Sequence, residues 1–221
     1  MQQLIVRQLG LCEFQPIWDR MRDFTATRSA DSADEIWLLE HPSIYTLGLN
    51  GKSEHILHPD AIPVLSCDRG GQVTYHGPGQ LIAYLLLDLK RLNLGVKALV
   101  ADIEQALINV LAQFDIQAQR KVGAPGVYVD EAKIAALGLR VKRDCTYHGL
   151  SFNIDMDLAP FKGINPCGMA DLQSTQLSSF TTVDHLIIRQ RLVEQLIGQI
   201  YQQRGNSVRE VWEVGQNHGQ S

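Results

Sequence analysis

The stretch from Arg69 to Tyr84, RGGQVTYHGPGQLIAY, constrains this chain more tightly than any other. Two adjacent glycines, a short alternating run and a Gly-Pro-Gly turn precede a second apolar run. Glycine reaches positive φ without steric cost and proline fixes φ for a turn, so Gly-Gly and Gly-Pro-Gly punctuate the segment strongly. Period-two alternation over Gln72 to His76 puts Val73 and Tyr75 on one face, Thr74 and His76 on the other. The pattern predicts a hairpin between 72–76 and the strand after the turn, with His76 at its lip and Arg69 at its base. Bare glycine backbone beside a histidine lets a ligand approach N–H groups closely. A hairpin that merely needs its glycines, with His76 a surface side chain, fits the pattern equally well.

Elsewhere strands and amphipathic helices alternate. MQQLIVRQLG reads as an N-terminal strand, and Phe14 to Thr27 as a helix burying Ile17, Trp18, Met21 and Phe24. EIWLLE and SIYTLGLN are strands parted by Pro42, followed by a loop over 51–63. Gly95 to Phe114 carries a wide apolar stripe that suits a helix covering a sheet. Gly126 to Asp130 and Lys133 to Val141 form a predicted hairpin, turning at Glu131-Ala132. Its second strand is expected to show Lys133, Ala135, Leu137, Leu139 and Val141 on one face, with unusually small residues at Ala136 and Gly138. Tyr147 to Leu158 alternates with His148, Leu150, Phe152 and Ile154 in one row, which makes His148 a core histidine with a hydrogen-bond partner. Val183 to Gln203 is a last helix, with Thr181 and Asp184 at capping-box spacing, and residues 205–221 a loosely ordered tail. Without repeats or linkers the reading is one α+β domain over residues 1–221.

Chemistry narrows to a few side chains. A net charge of −4 gives no basic field for nucleic acid, and no apolar run is long enough to span a membrane. His55 and His58 lack a third ligand in sequence, so no metal is expected. The four cysteines have no Cys-x-x-Cys spacing, which points to free thiols and a cytoplasmic chain. Only Cys167 lies between proline and glycine in a polar loop where a substrate could reach its sulfur. A thiol needs a neighbouring cation or base to act as a nucleophile. Lys133 could supply one, or could be an ordinary solvated strand-end lysine.

RGGQVTYHGPGQ resembles the signature of the lipoyl(octanoyl) transferases, the octanoyl-[acyl-carrier-protein]:protein N-octanoyltransferases of lipoate biosynthesis. GINPCG is similar to that family's nucleophile loop, and AKIAALGLRV to the strand whose lysine lowers the cysteine's pKa. The resemblance runs from about His41 to Phe180, with three motifs in the family's order. Departures are a more polar MADLQSTQLSSF and an extra cysteine at 145. The resemblance implies a biotin/lipoate protein ligase-like catalytic fold, a mixed sheet with packed helices. It implies an acyltransferase with Cys167 and Lys133 as catalytic dyad. Substrate contacts carry over to Arg69, Gly70, Gly71, Gln72, Val73, Thr74, Tyr75 and His76. They carry over likewise to Ala136, Leu137 and Gly138, and to Gly149, Leu150 and Ser151. The implied reaction moves an octanoyl group from octanoyl-acyl carrier protein, through an acyl-cysteine thioester, to the lysine of a lipoyl domain. The acceptors would be lipoyl domains of 2-oxoacid dehydrogenase and glycine cleavage complexes, with no cofactor, and a monomer is expected because no apolar stripe is left over. Two alternatives are an ATP-dependent lipoate or biotin protein ligase of the same fold, and a non-catalytic module binding acyl chains or lipoyl domains.

Overall fold

The computed structural model describes residues 2–165, 172–182 and 184–215. Ten strands and three α-helices occur in these segments. They are β1 (Gln2–Leu11), α1 (Phe14–Thr27), β2 (Asp34–Glu40), β3 (Ile44–Leu47), β4 (Val64–Ser66), β5 (Val73–His76) and β6 (Gln80–Leu86). Then follow α2 (Val96–Ala112), β7 (Gly126–Val129), β8 (Ala132–Lys142), β9 (Cys145–Asn153), α3 (His185–Ile200) and β10 (Val208–Val214). A seven-stranded mixed sheet has the order β10-β1-β2-β6-β9-β8-β7, and a smaller sheet the order β4-β3-β5. The α+β expectation with a mixed sheet is borne out.

The large sheet is covered on both faces, which explains why its central strands read as near-continuous apolar runs. Ile36, Leu38, Leu81, Ala83 and Leu85 face a core closed by α2 and α3. Trp37, Leu39, Ile82, Tyr84 and Leu86, the alternate residues, pack under α1 through Ile17 and Met21. The buried leucine and isoleucine side chains of β2 and β6 each contribute about 1.5–3 kcal/mol by leaving water, so these strands anchor the fold. At the outer end of β2 the fully buried carboxylate of Asp34 gathers donors from distant segments. Arg28 lies at 2.7 Å, Arg91 at 2.5 Å, the Tyr201 hydroxyl at 2.9 Å and the Asp88 amide at 2.9 Å.

Several local expectations change. Strands 73–76 and 80–86 do not form a hairpin: β5 pairs with β3 in the small sheet, β6 with β2 and β9 in the large one. The Gly-Pro-Gly turn therefore hands the chain from one sheet to the other. Gly79 makes this possible at φ +84°, where any Cβ would overlap the Asp155 carbonyl. The β7–β8 hairpin exists, but its turn is Asp130-Glu131, both at positive φ, since Val129 pairs with Ala132. A bulge between Val127 and Tyr128 steps the pairing from Ala135 to Lys133 and breaks the alternation expected to unite those two side chains. His148 has φ +58° and leaves the row of Leu150, Phe152 and Ile154, its ring lying instead beside Phe14, Tyr84 and Tyr147. Asp184 caps α3 by accepting from the Leu186 amide at 2.7 Å, a role expected of Thr181. The stretch expected to be a loose tail contains β10, which pairs in parallel with β1 from Gln2–Val208 to Gln8–Val214.

Candidate active site

A cleft enclosing about 800 Å³, counting its open mouth, runs between the small sheet and the β8–β9 pair. Its volume lies within the range of small-ligand pockets. Arg69, Gly71, Gln72, Val73, Thr74 and His76 form one wall. Lys133, Ala136, Leu137, Gly138, Gly149, Leu150 and Ser151 form the other. The three segments expected to contact substrate, 69–76, 136–138 and 149–151, lie apart in sequence and meet in one space. Two expected contacts do not border it. Tyr75 turns away, packing on Tyr45 and Phe161 with its hydroxyl 3.0 Å from Ser43. Gly70 backs onto β8, its amide donating to the Leu139 carbonyl at 3.0 Å.

That crossing explains the small residues of β8. A Cβ on Gly138 would lie 2.9 Å from the Gly70 carbonyl, so what rests on this backbone is the glycine loop itself. Lys133 is six positions from Leu139 along β8, with one bulge between, which puts the loop's glycines about 17 Å from it. Gly71, the loop glycine that lines the cleft, therefore borders its end remote from Lys133.

Arg69 is the staple of the loop. Its guanidinium donates to the carbonyls of Thr46 (2.5 Å), Gln72 (2.6 Å) and Gly70 (2.9 Å), and its Nε to the Thr46 hydroxyl (3.0 Å). Amides of Gly48, Leu49 and Asn50 add bonds to the carbonyls of Gln72, Arg69 and Gly71. The Thr46 hydroxyl lies 3.3 Å from His76 Nε2, and His76 Nδ1 2.7 Å from Gln80 Oε1. Burial, then the neighbouring His41, push the His76 pKa down to about 3, so the ring is neutral. His41 is buried and pushed down to about 4. Its Nδ1 must donate to the Cys12 carbonyl at 2.6 Å, so Nε2 accepts from the Tyr84 hydroxyl at 2.7 Å.

The remote end closes on Phe14, Ile82, Tyr84 and His148, which the motifs did not single out as site residues. Beneath them Asp68 accepts from Trp18 Nε1 (2.7 Å), from His148 Nε2 (3.1 Å) and from the Tyr147 hydroxyl. Burial would raise the Asp68 pKa, but these donors hold it well below the usual carboxylate range. Burial lowers the pKa of His148, with Asp68 partly opposing it, and His148 Nδ1 is a buried atom with no hydrogen-bond partner.

At the near end Lys133 is buried. Its Nζ donates to the Pro125 carbonyl at 3.1 Å and lies 5.2 Å from the centre of the Tyr128 ring. Its backbone is clasped by the chain returning after residue 171: Lys133 N donates to the Gln173 carbonyl (2.8 Å), and Thr175 N to the Lys133 carbonyl (3.0 Å). Ser174 and Asn153 line the cleft beside it. Asn153 was missed; its signal was the series Gly149, Ser151, Asn153, small or polar at alternate positions of an otherwise apolar strand. Cys167 lies outside the described residues. Burial pushes the thiols of Cys12, Cys67 and Cys145 above the usual value, a setting that suppresses thiolate formation. Among the described residues no cluster of His, Cys, Asp and Glu could hold a metal ion, and no helix is long and apolar enough to cross a membrane.

Comparison with known proteins gives this geometry a family. The lipoyl protein ligase A/B catalytic domain model matches residues 17–197. The octanoyltransferase of Azoarcus sp. strain BH72 is 57% identical over 196 residues, covering 88% of this chain and 86% of that protein. That of Thiobacillus denitrificans is 60% identical over 173 residues, covering 78% and 79%. Among solved structures, lipoate-protein ligase A bound with ATP superposes with a TM-score of 0.78 at 11% identity, over 98% of this chain and 90% of that one. A biotin protein ligase from Aquifex aeolicus gives 0.56 at 12% identity, over 94% and 72%. These structural likenesses carry the fold, and the sequence matches carry the membership: this chain belongs to the lipoyl protein ligase A/B catalytic domain family.

Proposed function

We propose that the chain, as a single catalytic domain, is an octanoyltransferase of lipoate biosynthesis working through an acyl-cysteine. The observation that carries the reading is one cleft that gathers residues of the segments 69–76, 136–138 and 149–151, with Lys133 at one end. It accompanies 57% identity to an octanoyltransferase over most of the chain.

In this reading the octanoyl chain lies along Ala135, Ala136 and Leu137, and its carbonyl sits at the Lys133 end. The Cys167 thiolate attacks the thioester carbonyl of octanoyl-acyl carrier protein. A carbon–sulfur bond forms to Cys167, the bond to the carrier's sulfur breaks, and the carrier thiolate leaves with a proton. A lysine ε-amine of a lipoyl domain then attacks the acyl-cysteine, the amide forms, and Cys167 leaves as thiolate. Lys133, as a cation beside the sulfur, favours the thiolate by Coulomb attraction and passes the proton in each half. Thioester free energy drives amide formation, so the reaction calls for neither nucleotide nor metal. The protein works as a cytoplasmic monomer, taking carrier protein as donor and lipoyl domains of 2-oxoacid dehydrogenase and glycine cleavage complexes as acceptors.

The test is intact-protein mass after incubation with an octanoyl thioester. The expected result is one added octanoyl group, mapped to Cys167 and absent from Cys167→Ser. An octanoyl group on Cys67 or Cys145 overturns the nucleophile, and transfer that requires ATP with release of pyrophosphate moves the protein to the ligase reading.

A further inference from the structure

A directed hydrogen-bond chain crosses the cleft floor. Asn153 faces the Thr175 carbonyl at 2.9 Å, and a carbonyl only accepts, so the facing atom is the amide Nδ2. Asn153 Oδ1 therefore faces Gln80 at 2.9 Å, and the Gln80 atom there must be Nε2. The Tyr75 carbonyl, 3.2 Å from the same nitrogen, imposes the same orientation independently. Gln80 Oε1 then accepts from His76 Nδ1–H, which leaves His76 Nε2 to accept from the Thr46 hydroxyl, itself an acceptor of Arg69 Nε–H. Every link points one way, from the Arg69 cation through Thr46, His76, Gln80 and Asn153 to the Thr175 carbonyl. All five side chains are buried.

The far end of this chain lies at the reaction. Thr175 belongs to the segment whose backbone clasps Lys133 on both sides, and Asn153 Nδ2 is the side-chain donor that reaches its carbonyl. We propose that Asn153 is a positioning residue for acyl transfer, its amide holding segment 173–175, and through it Lys133, in register with the loop stapled by Arg69. Gln80 serves as the upstream link that fixes the direction of the Asn153 amide. The inference rests on the acyl-transfer reading.

Asn153→Asp tests it with nearly constant shape. When ionised, the introduced carboxylate keeps the acceptor toward Gln80 but sets an oxygen against the Thr175 carbonyl; when protonated, it restores the donor. Burial and the facing carbonyl raise the pKa of such a carboxyl. Lys133 on β8 and Arg69 before β5 oppose the rise, and His76 on β5 is neutral. The measurement is the rate of octanoyl capture by mass, as the ratio of variant to wild type, from about pH 8 to about pH 5.5. At the alkaline end the variant should be slower by about tenfold or more, the cost of leaving a buried acceptor unsatisfied, with the ratio climbing on acidification. Asn153→Ala should show a loss that does not vary with pH. Should Asn153→Asp fail to fold by circular dichroism, Gln80→Glu carries the same test, because its carboxylate opposes Asn153 Oδ1 until protonated. A ratio near one throughout, or a loss that acid does not relieve, overturns the inference alone. No capture by the wild type overturns the acyl-transfer reading and the inference with it.

Discussion

Two carboxylates, the fully buried Asp34 and the partly buried Asp68, each draw donors from segments far apart in sequence, yet they do different work. Asp34 holds the permanent cations Arg28 and Arg91 together with Tyr201 and the Asp88 amide, none of which borders the cleft. Asp68 holds neutral donors, Trp18, Tyr147 and His148, and the last of these is a wall of the cleft. A carboxylate matched to two guanidiniums locks helix ends to a sheet. One matched to an indole, a phenol and an imidazole fixes the ring of His148 in the cleft wall. The same device, with different partners, serves architecture in one place and the site in the other.

Four measurements would break or sharpen that contrast. Asp34→Ala should have the largest effect, about 3–5 kcal/mol of stability in urea unfolding, because Arg28 and Arg91 lose their buried counter-charge. Folded protein, assayed cold, should still capture octanoyl; capture lost in protein shown to be folded would erase the distinction. Asp68→Asn should cost less stability, about 1–3 kcal/mol, yet slow capture markedly, since the amide can keep the oxygen shared by Trp18 and His148 only by turning its NH2 on the Tyr147 hydroxyl, and the charge that holds the three donors is lost. Equal stability losses in the two variants would count against the contrast.

The third measurement uses pH. The pKa of Asp68 is depressed in the fold, so its stabilisation is present above the unfolded value of ~3.9 and is lost as pH falls below it. His41 and His76 are depressed to about 4 and about 3. Below the unfolded value of ~6.5 the unfolded chain binds protons that these rings refuse, so stability should fall progressively from about pH 6.5 toward pH 4. A melting temperature flat across that window would show that the rings are not held neutral. The smallest effect belongs to Tyr147→Phe, which removes one of three donors to Asp68 and should cost about 1 kcal/mol in the same unfolding assay. A larger loss would make Tyr147, and not His148, the chief partner.

Elements were legible in the sequence wherever one periodicity held throughout. The α1 pattern gave its helix from Phe14 to Thr27, and the apolar run LIAYLL gave a strand, which the structure buries on both faces. Errors fell where a single backbone angle broke the period. The bulge beside Lys133 and the positive φ of His148 each moved a chemistry-bearing side chain out of its expected row, and neither leaves a trace in apolar spacing. The Gly-Pro-Gly turn was visible, but not that it joins two sheets, because pairing partners are non-local. The motifs collected most of the cleft wall, whereas Thr46, Gln80 and Asn153 are polar residues in apolar runs whose meeting depends on the strand order.

The strand at 208–214 has a consequence for how the molecule meets its neighbours. Covering β1, it leaves as outermost a short ribbon carrying Arg209, Glu210 and Glu213, with Glu213 paired to Arg7. A chain cut at Gly205 would uncover the ten-residue β1, a long row of unpaired backbone donors and acceptors on a largely apolar strand. Such a border recruits strands from other copies, so this last ribbon acts as a guard against self-association, and its loss would surface first as poor solubility.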